Sequence, residues 1–263
     1  MPEHGGWIVR EHGPQDAQRT VLLLPGGLCS SVWYDDVLAE PALASLRFVT
    51  TTLPGFAGTP PLADVGIESY AEAAAGLAAD LRCDVVVGHS LGANVALEMA
   101  ASKSFSGPVV LISPSFSRED EAAFLGVLDR LAHRGLGRFP YVMALKAIGP
   151  AMRKEVPAPR RDVLVADLKN NDPSFMRCEM RAYFEYLDRH GSLAKRLCDS
   201  GVAAWVSFGD HGDTGLTDDE RSILEGCPTV TLVTIVDASH ASLVQKPDRI
   251  AEIVLAAVSS LPG

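Results

Sequence analysis

Gly88-His89-Ser90-Leu91-Gly92 closes a run of three valines (Val85, Val86, Val87) and leads straight into Ala93-Asn94-Val95-Ala96-Leu97, a helix-forming stretch. A serine at such a junction can serve as a nucleophile. The sharp strand-to-helix turn holds it in a strained backbone conformation and lifts its hydroxyl clear of the sheet. Glycines at 88 and 92 suit the place where strand and helix approach too closely for side chains. The G-x-S-x-G pattern alone would arise by chance in about one chain in ten of this length, so its setting and its partners decide the matter.

A serine hydroxyl is a weak nucleophile at neutral pH. It needs an adjacent base, and the base needs a carboxylate to fix its tautomer and stabilise its charged form. Of the seven histidines, His4 and His12 precede the sheet, His89 lies inside the turn, His133 and His190 fall on helices, and His211 sits beside the candidate acids. His240, in Asp237-Ala238-Ser239-His240-Ala241, follows the last strand and precedes the last helix, where a base can reach Ser90. The loop Gly209-Asp210-His211-Gly212-Asp213 holds two carboxylates. Asp213, further out on the loop, is the expected acid. Asp210, directly after the strand, is the alternative, with a competing role as a structural carboxylate for loop amides. Two backbone amides would face the developing oxyanion: that of Leu91, and that of Gly27 in Pro25-Gly26-Gly27, with Leu28 as the competing neighbour.

The elements that must carry these residues follow from periodicity. Residues 7–10, 20–24, 48–52, 85–87, 108–113, 202–208 and 230–236 read as strands. Residues 32–46, interrupted near Pro41, and 69–81 read as helices, as does the stretch after Ser90. Thr217 to Glu220 forms a capping box, and Pro247 opens a last helix with Ile250, Ile253 and Val254 inward. This alternation predicts a mostly parallel sheet covered on both faces, with ligands at the carboxyl ends of the strands.

From 114 to 198 the strands vanish. Ser117 with Asp120 is a cap signal, Phe124, Val127, Leu128 and Leu131 recur at helical spacing, and Ala158-Pro159 separates two helices. Asp172-Pro173 starts a further helix with Met176, Met180, Tyr183, Phe184 and Leu187 on one face. The segment carries 15 Lys and Arg against 11 Asp and Glu, while the rest of the chain has 8 against 22. It also holds eight of the 17 aromatic residues. Such a block reads as a helical insertion over the sheet.

A chain of 263 residues with 47% hydrophobic content can bury a large core. Its net charge of -10 disfavours nucleic acid and anionic membranes as partners. Five cysteines, odd in number and scattered, argue against a disulfide framework or a zinc site and read as small buried residues. The first residues lack a basic region followed by an apolar run, and no apolar stretch has the length of a membrane span. A cytoplasmic protein is expected.

With these segments assembled, the chain resembles the α/β-hydrolase superfamily over essentially its full length. Leu24-Pro25-Gly26-Gly27 is similar to that family's oxyanion loop, with Pro25 where a histidine is usual, which leaves the backbone donor intact. Leu53-Pro54-Gly55-Phe56-Ala57-Gly58 is similar to its second Gly-rich loop, and 88–92, 209–213 and 239–240 match its nucleophile, acid and base segments. The resemblance implies an α/β-hydrolase fold with a core of residues 1–113 and 199–263 and a helical cap, 114–198, inserted after the sixth strand. It implies a serine hydrolase with a Ser90-His240-Asp213 triad, acting through an acyl-enzyme on an ester, thioester or lactone, without metal or organic cofactor. Serine at 90 disfavours the branches with an aspartate nucleophile. A carbon-carbon bond hydrolase or lyase, and a receptor-like protein with negligible turnover, are the alternatives. The substrate is expected to be a small molecule, aromatic or of modest acyl size from the segment's aromatic content. Its positive balance adds an anionic group as a second option, against the simpler reading of solvated helix faces.

Overall fold

The computed structural model describes residues 7–121, 123–131 and 137–262; His4 and His133 fall outside these, as does the side chain of Phe124. Among the described residues, seven strands form one sheet: β1 (Ile8–His12), β2 (Thr20–Leu24), β3 (Arg47–Thr52), β4 (Val85–His89), β5 (Val109–Ile112), β6 (Ala204–Gly209) and β7 (Val230–Ile235). They lie in the order β1-β3-β2-β4-β5-β6-β7, and only β1 runs antiparallel to its neighbour. Strands β2, β4 and β5 are buried throughout, which is why they read as continuous apolar runs rather than alternating ones.

Eleven helices accompany them among the described residues: α1 (Asp35–Leu38), α2 (Ile67–Asp80), α3 (Leu91–Ala101), α4 (Ala123–Leu131), α5 (Phe139–Glu155), α6 (Arg161–Lys169), α7 (Pro173–His190), α8 (Ala194–Ser200), α9 (Asp218–Glu225), α10 (Ser242–Gln245) and α11 (Pro247–Ser259). The period-two alternation of β2 divides the core. Leu22 and Leu24 face the cluster shared with α2, α3 and α8, whereas Val21 and Leu23 face the one shared with α1, α10 and α11. The fold is that of an α/β-hydrolase: a mostly parallel sheet between two helical layers.

Helices α4 to α7 lie between β5 and β6, while α8 packs on α3 and α9 of the body. The insertion therefore follows the fifth strand of this chain rather than the expected sixth, because a single antiparallel strand, β1, precedes β2. Residues 32–46 are helical with a break just before Pro41, as read, but in short pieces: 3₁₀ turns at Ser31–Tyr34 and Pro41–Leu43 flank α1, and the Tyr34 hydroxyl donates to the Leu24 carbonyl (2.9 Å) and the Trp33 indole to Asp167 (3.1 Å). Tertiary anchoring overrides helix propensity there. Of the Ser117 and Asp120 capping box, the Asp120 half is hydrogen-bonded, its carboxylate accepting from the Ser117 amide (3.0 Å) while Ser117 Oγ has no partner, and it closes only one 3₁₀ turn. Cys29 and Cys227 are buried as expected; Cys178 instead lies exposed on α7.

The tightest packing in the sheet is at the start of α3. A Cβ on Gly88 would strike the Gly92 carbonyl, and one on Gly92 would strike the carbonyls of Leu24 and Pro25. Backbone sits against backbone at both positions, and neither can give way. Gly88→Ala is expected to cost at least about 3 kcal/mol in urea unfolding or to prevent folding. Gly76, exposed in α2 with nothing near its missing Cβ, is the control. Gly76→Ala should stabilise by about 0.5–1 kcal/mol through helix propensity.

Candidate functional site

Four strand ends bring the chemically able residues together. Ser90 follows β4 with φ 52° and ψ -121°, a conformation that side chains rarely adopt, and its amide donates to the Ile112 carbonyl of β5 (2.8 Å). The tight packing of α3 on β2 and β4 leaves this turn no relaxed alternative. Ser90's own carbonyl accepts from the amides of Ala93 and Asn94. The Leu91 amide, first in α3, has no acceptor within its helix and points out of the helix start.

The loop after β2 lies over Ser90. A Cβ on Gly26 would sit 3.0 Å from His89 Nδ1 and 3.2 Å from Ser90 Cβ, and one on Gly27 would sit 3.5 Å from the Leu91 side chain. Gly27 and Leu91 are thus brought to one place beside the serine. The loop then turns through Leu28, whose φ is 70°.

Asp213 and His240 are also brought together. His240 Nδ1 lies 2.8 Å from Asp213 Oδ1, so its Nε2 is the nitrogen left for other work. The side chain of Asp213 is 2% exposed against 38% for His240. Burial alone would raise the Asp213 pKa. Hydrogen bonds from His240, the Gly209 amide (2.6 Å) and the Ser113 hydroxyl (2.8 Å) outweigh it, and the carboxyl ends below the usual range. Asp210 stands apart. It accepts from the amides of Asp237 and Ala238 and pairs with His211, holding the turn after β7.

Several neighbours carried no sequence signal for a place here. Ser113, at φ 52° after β5, donates to Asp213. Gln245 accepts from the Ser239 amide (2.7 Å) and donates to the Glu155 carbonyl (2.6 Å), tying the His240 loop to the end of α5. Asn171, between α6 and α7, donates to the Leu28 carbonyl (2.9 Å) while its Oδ1 accepts from the amide of Ala57 (2.9 Å), another residue with positive φ. Asp167 accepts from the Ser30 amide (2.8 Å), and Phe175 meets Phe56 edge-on at 5.1 Å. Apart from the Ser239–Gln245 bond, which spans six residues, these contacts join segments far apart in sequence and could not be read from spacing.

His89 is fully buried. Its Nε2 lies 2.9 Å from the His240 carbonyl, where it must donate, so this nitrogen carries the proton. Its Nδ1 makes no hydrogen bond. Burial first, and the neighbouring His240 second, push the His89 pKa down to about 3. Among the described residues, no group of three His, Cys, Asp or Glu side chains is placed to hold a metal ion, and no helix is long and apolar enough to cross a membrane.

Comparison with known proteins places this arrangement. Residues 21–253 match the family model described as the Alpha/beta hydrolase family. A thermophilic esterase from Thermogutta terrifontis is similar in structure, with TM-score 0.75 and 17% identity over 96% of this chain and 93% of its own. So are a hydrolase from Pseudomonas aeruginosa PA01 (TM-score 0.76, 18% identity, 97% and 94% covered) and an enol-lactonase from Burkholderia xenovorans (TM-score 0.72, 17% identity, 97% and 96% covered). At such identities the likeness is one of fold. A comparison with the curated proteins finds no match.

The state of His89 has a consequence for stability. A histidine whose folded pKa is depressed leaves stability whole above its unfolded value, near 6.5, and removes it as pH falls from there toward 3. Between pH 7 and pH 5 the loss from this residue should be about 2 kcal/mol. Urea unfolding at the two pH values should register it, and His89→Gln should lower stability at pH 7 yet show a smaller difference between them.

Proposed function

Since the chain belongs to the alpha/beta hydrolase family, we propose that it is a serine hydrolase cleaving a carboxylic ester, thioester or lactone of a small molecule. One observation carries the reading: a serine held at φ 52° at a helix start, beside strand ends that bear a histidine paired to a buried aspartate at 2.8 Å.

In this reading Ser90 Oγ attacks the carbonyl carbon while His240 Nε2 takes its proton. Asp213 fixes the imidazole through Nδ1 and stabilises its charged form. The amides of Gly27 and Leu91 receive the oxyanion, each such donor being worth about 3–4 kcal/mol in the transition state. The tetrahedral intermediate collapses and the leaving oxygen or sulfur takes the proton from His240. Water, deprotonated by the same nitrogen, then adds to the acyl-enzyme, and the acid departs with Ser90 restored. Asp210, bonded to loop amides at the other side of the turn, serves to shape the loop.

The insertion is the part that selects. Leu28 of the loop over Ser90 packs against Tyr141, Leu145 and Met176, a lining suited to an acyl or aryl group of modest size. Four of the insertion's arginines are spent in ion pairs and offer no free charge to an anionic substrate. Arg118 pairs with Asp188, Arg160 with Asp35 and Asp36, Arg189 with Glu68, and Arg196 with Glu98, mostly toward the surface.

Hydrolysis of p-nitrophenyl esters of increasing acyl length, with a phosphonate probe followed by mass spectrometry, tests the mechanism. Ser90→Ala should lose labelling and lower kcat/KM by at least about 10⁴-fold. Asp213→Asn should lower kcat by about 10⁴-fold, as loss of the correct tautomer does elsewhere, whereas Asp210→Asn should stay within a few-fold of the parent. The reverse order of the two aspartates, or turnover without labelling at Ser90, would sink the assignment. Asn171→Ala should lower kcat more than it raises KM, because it releases the loop carrying Gly27 without removing a substrate contact.

A further inference from the structure

The inner face of α7 carries Met176, Tyr183, Phe184 and Leu187, and in their midst a glutamate. Glu179 is 5% exposed, more buried than Met180 beside it. No hydrogen bond or ion pair reaches its carboxyl from any described residue. The groups around it are Tyr70, Tyr141 and Tyr183, whose hydroxyls it acts upon, and Glu121, whose charge acts upon it. Burial first and Glu121 second push Glu179 up to about 8.

A second orphan lies close by. Tyr141, on α5, is fully buried and its hydroxyl has no hydrogen-bond partner. Asp129 and Glu179 are the carboxylates that raise it, with Arg177 opposing them. Glu121 uses one oxygen to accept from the Tyr183 hydroxyl (2.5 Å) and the Ser115 hydroxyl (2.6 Å), leaving Oε2. Buried polar groups ordinarily find partners, and one without any is held at a cost that an apolar side chain of the same volume would not incur.

This cluster adjoins the reacting centre. Ser115 exchanges two hydrogen bonds with Asn94, whose Oδ1 lies 3.5 Å from the Tyr183 hydroxyl, and the amide of Asn94 donates to the Ser90 carbonyl. Asn94, one helical turn from the serine, thus links Glu121 to the start of α3 through Ser115. On the other side Tyr141 packs with Leu28 of the loop over Ser90.

We propose that Glu179, the free oxygen of Glu121 and the Tyr141 hydroxyl form a receptor for a primary ammonium group of the substrate, beside the acyl site. Three acceptors match the three N–H donors of an alkylammonium. A quaternary ammonium brings no donor, and an alcohol satisfies one acceptor only. The chain's net charge of -10 also draws cations toward it. The placement rests on the reading of Ser90 as the reacting serine; the binding does not.

Calorimetric titration of n-pentylammonium and 1-pentanol into the parent, Ser90→Ala, Glu179→Gln and Tyr141→Phe tests it. The amine should bind at least tenfold more tightly than the alcohol to the parent and to Ser90→Ala. Glu179→Gln should erase that preference without lowering the melting temperature, and Tyr141→Phe should reduce it several-fold. If Glu179→Gln fails to fold, Tyr141→Phe and Glu179→Met carry the test. Equal binding of amine and alcohol, or an undiminished preference in the variants, overturns the proposal. In the parent the amine should inhibit p-nitrophenyl acetate hydrolysis competitively; binding without competition overturns the placement. A parent that hydrolyses no ester while Ser90→Ala still prefers the amine would refute the hydrolase reading and leave the ammonium receptor standing.

Discussion

The start of α3 rests directly on the backbones of β2 and β4, and the site is a consequence of that contact. With no Cβ at 88 or 92, the helix begins within touching distance of the Leu24 and Pro25 carbonyls. The chain must then turn from strand to helix in one residue, which puts Ser90 at φ 52°. The same turn leaves the Leu91 amide at a helix start without an internal acceptor. It also pins Gly26 over His89 and Ser90, so the loop after β2 has one place to lie. The strained serine, the helix amide and the loop glycine are thus products of a single packing constraint rather than separate features.

The helical insertion takes part in that geometry. Leu28 and Ala57 both hold positive φ, a backbone cost of order 1–2 kcal/mol each for residues with a side chain. Asn171 bonds one through its amide nitrogen and the other through its oxygen, and such bonds return about 1 kcal/mol apiece. The two sums are of the same size, so the loop conformation depends on the helices staying docked. Asp167 and Phe175 act on the same two loops, and Gln245 does the corresponding work between α5 and the His240 loop. The inserted helices and the loops over Ser90 are mechanically one body.

What could be read from the sequence was local or periodic. The strands around Ser90 were legible because buried parallel strands leave continuous apolar runs, and Asp172-Pro173 was legible because a cap is a short-range bond: Asp172 accepts from Ser174 and Phe175. Chain order alone singled out His240 and favoured Asp213, whose pairing in space needs the whole sheet. Residues 32–46 were legible as helix broken near Pro41, but what holds them in short pieces was not: Tyr34 and Trp33 spend their polar groups on Leu24 and Asp167, which helix propensity does not register. Asn171, Gln245 and Ser113 were invisible for the same reason. On α7 the helical period put Met180 on the inner face, while the structure buries Glu179 further, a choice no hydropathy pattern would make.

Three buried titratable groups near the serine differ in how their burial is offset, and the difference is informative. Asp213 is almost wholly enclosed yet stays ionised, because an imidazole, backbone amides and a hydroxyl converge on it. His89 is enclosed with one nitrogen satisfied by a carbonyl, and it resolves the matter by remaining neutral. Glu179 is bonded by nothing described in the chain, and burial with a second carboxylate beside it favours its neutral form. The first two groups are completed by the fold itself. A carboxyl bonded by no described residue, beside a tyrosine hydroxyl equally without a partner, keeps acceptors that the fold leaves unused, and those acceptors fix what a ligand there would have to donate.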